Sequence, residues 1–254
     1  MAPVRVSSLW RHPIKAHGAE PLTASAFVIG ETMPWDRVWA IAHEASKVAE
    51  SADTDWVPCA NFSRGAKSPS LMAVRARTDE ASGRIALEHP DAMPIEVDLD
   101  NPSDAAKLIE WVLPLSNQKR ALPKTVVRTK SAGLTDSKFP SIAILNKASL
   151  SELSAAAGQD LAEERFRGNI WLDGLEPWQE FDFLDRSLKI GSAEFVVRER
   201  ITRCMATASN PATGRIDLDT LRLLEANWGH QDFGIYAEVT QSGQVRVGDA
   251  AQLV

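Results

Sequence analysis

The sequence predicts a mainly β protein of the α+β class with a few short helices. Short β-favourable segments, such as Val4–Trp10 and Val38–His43, recur through the first hundred residues between Gly, Pro, Asp and Ser. Their spacing favours a sheet or partial barrel over alternating strand–helix units. Segments with apolar residues at helical spacing are few, and all of them lie after residue 100.

The N-terminal half is predicted to contain several strands and one helix. The helix is Ser103–Leu113, in which apolar residues recur every three or four positions before Pro114. A polar, proline-containing segment over residues 114–125 then predicts a domain boundary. We therefore divide the chain into an N-terminal domain, residues 1–118, and a C-terminal domain, residues 119–254. The predicted strands are Val4–Trp10, Ala26–Ile29, Val38–His43, Leu71–Arg77, Arg84–Glu88 and Ile95–Leu99.

The C-terminal half is predicted to be barrel-like, with further short strands and two helices. Ser149 and Glu152 have the spacing of a capping box, and Gly158 ends the helix that they begin. The second helix, Asp217–Trp228, begins with acidic residues and ends before Gly229. The predicted strands are Thr125–Arg128, Ser141–Leu145, Asn169–Leu172, Ser187–Ile190, Glu194–Arg198, Gly234–Thr240 and Gln244–Val247, the last two joined by a predicted hairpin turn at Ser242–Gly243.

Charge and apolar patterning exclude several classes of partner. The 28 Lys and Arg residues against 34 Asp and Glu give a net charge of −6, so no global field attracts nucleic acid or an anionic membrane. No apolar run reaches the roughly 20 residues that span a bilayer. Two cysteines and no visible signal peptide favour a reducing compartment, and we expect the cytoplasm. A bound anion must then be held by a local cluster of cations.

The sequence lacks the common nucleotide and zinc motifs. It contains no GxGxxG and no GxxxxGK(S/T), so phosphate binding by a glycine-rich loop is not expected. The five histidines are scattered without an HExxH motif or a CxxC partner, which disfavours a histidine-ligated metal.

Cys204 lies in the most strongly charged candidate site. Arg198, Arg200 and Arg203 come at the end of a predicted strand, and Cys204 follows directly in a predicted loop. Neighbouring positive charges favour the thiolate, which is the nucleophilic and metal-binding form of cysteine. The alternative is an inert, buried thiol. Cys59 has no basic residue within several positions, so we expect it to be inert.

A second group of cations lies at Arg165 and Arg167, just before Asn169. Two arginines at i and i+2, with an amide behind them, can clamp a phosphate or another oxyanion. The alternative is a solvated pair of arginines that interacts with Glu163 and Glu164 immediately upstream.

Short motifs match, in order, those of one known family. They are Leu9–Lys15 (LWRHPIK), Trp35–Trp39 (WDRVW), Thr135–Ser137 (TDS), Arg165–Asn169 (RFRGN), Arg203–Cys204 with Asn210–Gly214 (NPATG), and Val247–Asp249 (VGD). Together they resemble the MOSC proteins, in the two-part form shared by the bacterial YcbX-like proteins and the mitochondrial amidoxime-reducing components. The resemblance covers nearly the whole chain. It implies a MOSC-type β-barrel with a β-rich N-terminal MOSC domain.

The resemblance also implies a cofactor and a set of site residues. The cofactor is the molybdenum cofactor, a molybdopterin, whose molybdenum takes a protein thiolate. Cys204 is the matching position, which makes it both the metal ligand and the catalytic residue. The residues implied to hold the pterin and phosphate are Lys15, Arg37, Asp136, Arg167, Asn169 and Arg203.

Several positions depart from the family pattern. Ala16 stands where a serine is common, Gly168 replaces a proline, and His12 replaces an aromatic residue. No cluster of cysteines is present to hold an iron–sulfur centre. A reductase would therefore need a separate electron-transfer protein of the ferredoxin or flavoprotein type.

The resemblance predicts a molybdenum-dependent oxidoreductase that reduces N-hydroxylated or related N- or S-oxygenated small molecules. One alternative is a sulfur carrier that holds a persulfide on Cys204. Another is a non-catalytic carrier of the molybdenum cofactor. A cysteine hydrolase is less favoured, because only a long-range contact with His230 would supply a base.

Overall fold

The computed structural model describes residues 3–130 and 132–254. These residues form sixteen β-strands and three α-helices, joined by turns and short 3-10 helices, which confirms the mainly β class. The strands are β1 (Arg5–Arg11), β2 (Glu20–Leu22), β3 (Ala24–Phe27), β4 (Trp39–His43), β5 (Asp53–Thr54), β6 (Arg75–Asp79), β7 (Arg84–His89), β8 (Ala92–Asp98), β9 (Pro123–Thr129), β10 (Ile142–Asn146), β11 (Ile170–Asp173), β12 (Ser187–Ile190), β13 (Ala193–Thr202), β14 (Asp232–Gln241), β15 (Gly243–Arg246) and β16 (Ala251–Leu253). The helices are α1 (Pro102–Val112), α2 (Lys147–Ala157) and α3 (Thr220–Trp228).

Eight strands form the largest sheet, in the order β16-β12-β13-β14-β10-β11-β1-β2. Neighbouring strands are antiparallel except β10 and β11, which are parallel. The Val6 N–H donates to the Asp249 carbonyl at 2.9 Å, and the Ala251 N–H donates to the Val4 carbonyl at 2.9 Å. Because these bonds join the start of β1 to the start of β16, the sheet curls back towards itself.

The two faces of this sheet pack into separate apolar cores. Ile142 and Ile144 of β10 belong to a core that also takes in β1, β3 and β13. Ala143 and Leu145, which alternate with them, belong to a second core beneath α2 and α3. Alternate side chains of a strand point to opposite faces, so β10 is buried on both sides.

The N-terminal half adds two three-stranded sheets, in the orders β4-β9-β5 and β6-β7-β8. They share a third core with α1, which includes Trp39, Ile41, Leu87 and Leu108. The helix buries Leu108 and Val112 on the face that the apolar spacing predicts.

Strand pairing crosses the boundary predicted at residue 118. β1 lies in the sheet formed by the C-terminal half, and β9 pairs with β4 and β5 of the N-terminal half. The two halves therefore exchange strands, and the division into residues 1–118 and 119–254 stays a prediction.

The predicted capping box at the start of α2 is wrong. The helix begins directly after β10, and the side chain of Asn146 caps it by accepting from the Ala148 N–H at 2.9 Å. Ser149 is buried inside the helix, where its hydroxyl donates to Glu180 at 2.9 Å. Gly158, with a left-handed φ of 66°, ends the helix as predicted.

The predicted hairpin between β14 and β15 is also wrong. β15 pairs with β3, with Gly243 opposite Phe27. Ser242 serves this pairing, because its hydroxyl accepts from the Ile29 N–H at 2.9 Å. A Cβ on Gly243 would lie 2.3 Å from the Ser192 carbonyl carbon, so the chain passes close to another backbone segment instead of folding onto β14.

Several predicted element boundaries shift; β3, for example, spans Ala24–Phe27 and not the predicted Ala26–Ile29. Residues 69–73 form a 3-10 helix, so β6 begins at Arg75 and not at Leu71. The last helix begins at Thr220, because the Asp219 side chain accepts from the Arg222 N–H at 3.0 Å and caps it there. Within the described part of the chain, no helix has the length and apolar character needed to cross a membrane.

Candidate active site

A cleft of about 250 Å³ is lined by residues of both halves of the chain. Six of the seven site residues predicted from the sequence are among its lining residues. These six are Lys15, Arg37, Asp136, Arg167, Arg203 and Cys204. The fold therefore gathers into one cleft five distinct motifs that are far apart in sequence.

Backbone pairing places Lys15 and Arg37 on the same wall of the cleft. Lys15 lies in the turn after β1, and its N–H donates to the Trp39 carbonyl at 2.7 Å. Arg37 lies just before β4, and its N–H donates to the His12 carbonyl at 2.7 Å. These bonds tie the turn to the segment that leads into β4.

Three lining residues have a left-handed backbone conformation. They are Ala16, Arg37 and Arg167, with φ angles of 64°, 54° and 50°. A non-glycine residue in this region costs on the order of 1–3 kcal/mol and persists only where surrounding structure imposes it. Strain of this kind concentrates at functional sites, and here it occurs three times in one cleft.

Asp136 is the carboxylate that faces the cleft. Lys15 Nζ donates to Asp136 Oδ1 at 2.6 Å and to the Leu134 carbonyl at 2.8 Å. Withdrawal from water opposes ionisation of Asp136, but the positive charge of Lys15 outweighs it and lowers the pKa of that carboxyl. The Asp136 side chain is 57% exposed, so it stays accessible from the open side of the cleft.

A buried ion pair supports Arg37 from below. Arg37 Nη1 donates to Asp36 Oδ2, and Arg37 Nη2 donates to the Arg167 carbonyl at 3.1 Å. Asp36 is fully buried and also accepts from the His12 N–H at 2.8 Å. Burial opposes ionisation of Asp36, but the Arg37 guanidinium holds the pKa of this carboxyl well below its usual range.

Arg167 and Arg203 carry positive charge without a carboxylate partner among the described residues. Arg167 donates to the carbonyls of Gly18 at 3.0 Å and Ile14 at 3.3 Å. Arg203 donates to the carbonyls of Phe233 and Phe166, each at 2.8 Å.

Burial is costly for both of these unpaired cations. It lowers the pKa of Arg203 to about 10. Burial together with the neighbouring Arg37 charge lowers the pKa of Arg167 to about 9. An anion in the cleft would supply the counter-charge that these two guanidinium groups lack.

Cys204 is exposed at the cleft, in the loop that follows β13. Its carbonyl accepts from the Thr207 N–H at 3.1 Å and from the Thr207 hydroxyl at 3.0 Å, which anchors the 3-10 turn Met205–Ala208. The alternative of a buried thiol is wrong for Cys204, because the residue is exposed at the cleft that Arg203 also lines.

Arg165 fixes the loop that follows Cys204. It is 2% exposed and binds Asp217 through two bonds of 2.8 and 3.0 Å. Its Nη1 also donates to the Thr207 carbonyl at 3.1 Å. The alternative of a solvated Arg165 that interacts with Glu163 is wrong, because Arg165 is buried and Glu163 binds Lys147 at 2.6 Å and Trp10.

Asn169 is the one predicted site residue that does not line the cleft. It is fully buried, and its side-chain carbonyl accepts from the Ala143 N–H at 3.1 Å. Its amide donates to the Trp10 carbonyl at 3.3 Å. The structure therefore gives Asn169 contacts that brace β1 against β10, and its predicted contact with a cofactor stays a prediction. The neighbouring Gly168 packs closely against Leu145: a Cβ at this position would lie 2.5 Å from the Leu145 side chain. The proline that the family pattern has here would require Leu145 to move.

Sequence reasoning missed three lining residues that have titratable side chains. Tyr236 reaches the cleft from β14. Burial and the negative charge of Asp136 raise the pKa of its hydroxyl, and the positive charge of Arg203 only partly offsets them. Cys59 and Arg64 also line the cleft, and Arg64 Nη1 donates to Cys59 Sγ at 3.4 Å. The expectation that Cys59 lacks a basic neighbour is therefore wrong. The sequence did not indicate this contact, because Cys59 and Arg64 are five residues apart and the chain between them is a 3-10 turn and a loop without a helical or strand period.

Comparisons with known proteins match both halves of the chain. The MOSC N-terminal beta barrel domain model matches residues 3–145, and the MOSC domain model matches residues 136–252. The chain belongs to the MOSC family. This agrees with the site geometry, because the family motifs carry the six predicted residues that line the cleft.

Its relatives include two kinds of curated protein. A molybdenum cofactor sulfurase of Anopheles gambiae is 23% identical over 91% of this chain and 34% of its own length. The mitochondrial amidoxime reducing component 2 of Homo sapiens is 36% identical over 42% of this chain and 35% of its own length. The chain thus spans about a third of the length of these relatives. Among solved structures, the YuaD protein of Bacillus subtilis covers 98% of this chain and 93% of its own, with a TM-score of 0.47 and 11% identity.

Proposed function

We propose that this MOSC protein binds the molybdenum cofactor in the cleft, with the Cys204 thiolate as the protein ligand to molybdenum. The observation that carries the proposal is the placement of an exposed thiol beside two cations that lack carboxylate partners among residues 3–130 and 132–254. A thiolate is a soft ligand suited to such a metal. The relatives named for this cofactor support the same assignment.

The residues of the cleft fit this group. Among the described residues, no cluster of three or more His, Cys, Asp and Glu side chains could hold a metal ion unaided. Cys204 is a single donor, which suits a metal that arrives with ligands of its own. Arg167 and Arg203 would hold the phosphate and polar edges of the pterin, with Lys15 and Arg37 beside them.

We further propose that the protein is an oxidoreductase. When bound, the molybdenum would supply two-electron redox chemistry through a change in its oxidation state. The overall reaction reduces an N-hydroxylated or related N- or S-oxygenated small molecule, consumes two electrons and two protons, and releases water. The similarity to an amidoxime reducing component and the open side of the cleft at Cys204 support this activity.

The residues of the chain would bind and orient the cofactor and neutralise its charge. Arg37, Arg167 and Arg203 would offset the negative charge of the cofactor, and Lys15 would hold the Asp136 carboxylate at the open side of the cleft. The electrons would come from a separate ferredoxin- or flavoprotein-type protein, because two cysteines are too few to hold an iron–sulfur cluster.

A second candidate is a persulfide carrier in which Cys204 holds the sulfur. The exposure of Cys204 favours it, as does the molybdenum cofactor sulfurase that matches 91% of the chain. The two functions differ in what Cys204 carries, so analysis of that residue separates them.

The test is molybdenum content per chain, measured by elemental analysis on protein made in a host that synthesises the cofactor. We expect near-stoichiometric molybdenum in the wild type and its loss in Cys204→Ala and Arg167→Met. Arg198→Met, which removes an exposed arginine of β13, is the matched control and should keep the metal. Thermal unfolding confirms that each variant is folded.

Two outcomes would overturn the proposal. Full molybdenum in Cys204→Ala would remove Cys204 as the ligand. An absence of molybdenum in the wild type, when a control molybdoenzyme loads in the same host, would reject the cofactor. Mass spectrometry of Cys204 for an added sulfur atom would then test the carrier function.

A further inference from the structure

The cleft carries an excess of positive charge in a chain whose net charge is −6. In the part of the chain that the structure describes, a single carboxylate, that of Asp136, lines the cleft. A cleft lined mainly by charge of one sign concentrates small ligands of the opposite sign. Six basic side chains line this cleft, namely Lys15, Arg37, Arg64, Arg165, Arg167 and Arg203.

Carboxylates pair with three of these six cations. The pairs are Lys15 with Asp136 at 2.6 Å, Arg37 with Asp36, and Arg165 with Asp217 at 2.8 Å. Arg64, Arg167 and Arg203 have no carboxylate partner among residues 3–130 and 132–254. The proposed function uses Arg167 and Arg203 to hold the cofactor. Arg64 is therefore a cation of the cleft that the proposed function does not use.

Arg64 has hydrogen-bonding capacity to spare. It is half-buried, and its Nη1 donates to Cys59 Sγ at 3.4 Å, which is its one side-chain hydrogen bond within the described residues. A guanidinium has several N–H donors, and a thiol sulfur is a weak acceptor. The remaining donors can bind an oxyanion, and the planar guanidinium matches a carboxylate through two parallel hydrogen bonds.

Backbone hydrogen bonds hold the loop that carries Arg64. The Ser63 N–H donates to the Ile41 carbonyl at 2.8 Å, which ties the loop to β4. The Arg64 carbonyl accepts from the N–H groups of Lys67 at 3.0 Å and Ser68 at 2.9 Å, which closes a turn directly after Arg64. Because the backbone is already ordered, a ligand of Arg64 needs to order only the side chain.

The same loop lies against the turn that follows Cys204. A Cβ on Gly65 would lie 3.4 Å from the Cβ of Ala206, so the two segments are in contact. Ala206 is two residues after Cys204, and two residues of chain span at most about 7 Å. Met72 packs against Gly65 and also lines the cleft. Arg64 thus belongs to the part of the cleft near the thiol, where apolar side chains surround its loop.

We propose that Arg64 binds a carboxylate of the substrate, so that the protein acts on N-oxygenated small molecules that carry a carboxylate on an apolar body. This inference rests on the proposed function, because it places the substrate between Arg64 and the metal bound at Cys204. A single guanidinium matches the single charge of a carboxylate. The apolar body would lie against the neighbouring lining residues Ala66, Met72 and Ala206.

The first test measures binding without turnover. The full chain, made in a host that synthesises the cofactor, is titrated calorimetrically with benzoate and, separately, with its uncharged analogue benzamide. In Arg64→Gln, the affinity for benzoate relative to benzamide should fall about tenfold, the scale for loss of a hydrogen bond to a charged group. Arg64→Lys keeps the charge but loses the paired donors, so its affinity for benzoate should lie between those of the wild type and Arg64→Gln.

The second test measures turnover, with a chemically reduced viologen dye as the electron donor. The substrates are benzamidoxime and its 4-carboxylate, which share the N-hydroxylated group and differ in charge. In Arg64→Gln, the ratio of kcat/KM for the carboxylate to kcat/KM for benzamidoxime should fall about tenfold, and the fall should lie in KM. Arg198→Gln removes an exposed arginine that pairs with Glu238, and this matched control should keep the wild-type ratio.

The inference is overturned if Arg64→Gln and Arg198→Gln bind benzoate with equal affinity, or if the two variants have the same ratio of kcat/KM values. It is also overturned if Arg64→Gln loses its molybdenum, because Arg64 would then hold the cofactor. Failure of the proposed function gives a different result: neither amidoxime is reduced, or the wild type holds no molybdenum, while the benzoate titration still reports on Arg64. Circular dichroism shows that each variant is folded.

Discussion

Asp36→Asn tests whether the ion pair beneath the cleft holds Arg37 in its strained position. Asp36 is fully buried, and Arg37 is 8% exposed. Asparagine keeps an oxygen for the His12 N–H, which donates to Asp36 Oδ1 at 2.8 Å, but it removes the negative charge. The substitution therefore isolates the electrostatic part of the interaction.

The magnitude follows from the burial of both partners. Removing one member of a buried ion pair leaves an uncompensated charge and costs about 3–5 kcal/mol. The positive charge of Arg167 lies close to Arg37 and adds repulsion once Asp36 is neutral. We expect the free energy of unfolding at pH 7 to fall by about 3–5 kcal/mol.

Urea unfolding followed by tryptophan fluorescence measures the change. Asp53→Asn is the matched control, because Asp53 pairs with Lys130 at 3.3 Å while both side chains are more than half exposed. An exposed pair contributes about 0–1 kcal/mol. A loss in Asp36→Asn that is no larger than the loss in Asp53→Asn would refute the reasoning.

The pH dependence adds an independent check. The pKa of Asp36 is lower in the folded chain than its ordinary value of 3.8, so the stabilisation is present above that value. It is lost as the pH falls through 3.8 towards the lower folded pKa. The difference between the wild type and Asp36→Asn should therefore shrink below about pH 4. A difference that stays constant down to pH 2 would contradict the assignment.

Two further predictions concern buried polar groups near the cleft. Burial lowers the pKa of His17 from 6.5 to about 4, so the free energy of unfolding should fall as the pH drops below 6.5. By pH 4 the wild type should lose about 3 kcal/mol relative to His17→Gln. A constant difference in the free energy of unfolding between the two proteins from pH 7 to 4 would disprove this. Asn169→Ala should lower the free energy of unfolding by about 2–4 kcal/mol, because it leaves the Ala143 N–H and the Trp10 carbonyl without partners. Denaturant unfolding measures it against Asn227→Ala, an exposed helical asparagine, and equal effects of the two substitutions would argue against a bracing role.

Local patterns predicted much of the fold. α1 buries the face that its apolar spacing indicates, and α2 ends at the predicted Gly158. Turn and cap signals were less reliable. The Ser149 capping box and the Ser242–Gly243 hairpin follow local rules, but Ser149 binds a buried Glu180 and β15 pairs with β3. In both places a long-range partner outweighs the local preference.

The candidate site was likewise predicted only in part from the sequence. Motifs identified Cys204, Arg37 and Arg167, because short runs of residues carry the family signature. Asn169 was assigned by the same motif, yet its amide is used by backbone groups of β1 and β10. A motif specifies a residue type at a position, and it does not specify the direction in which the side chain points.

The sequence by itself determined the fold class, the family, and six of the residues that line the cleft, because each is expressed in composition, periodicity or a short motif. Only the tertiary structure decided which charges are paired. Arg165 has a carboxylate partner in Asp217, whereas Arg167 and Arg203 bind carbonyl groups and, in the part of the chain that the structure describes, no carboxylate. It also decided that Cys59 shares a cleft with Cys204. Pairing, burial and shared cavities depend on contacts between distant segments, and those contacts exist only once the sheet has curled and brought both halves together.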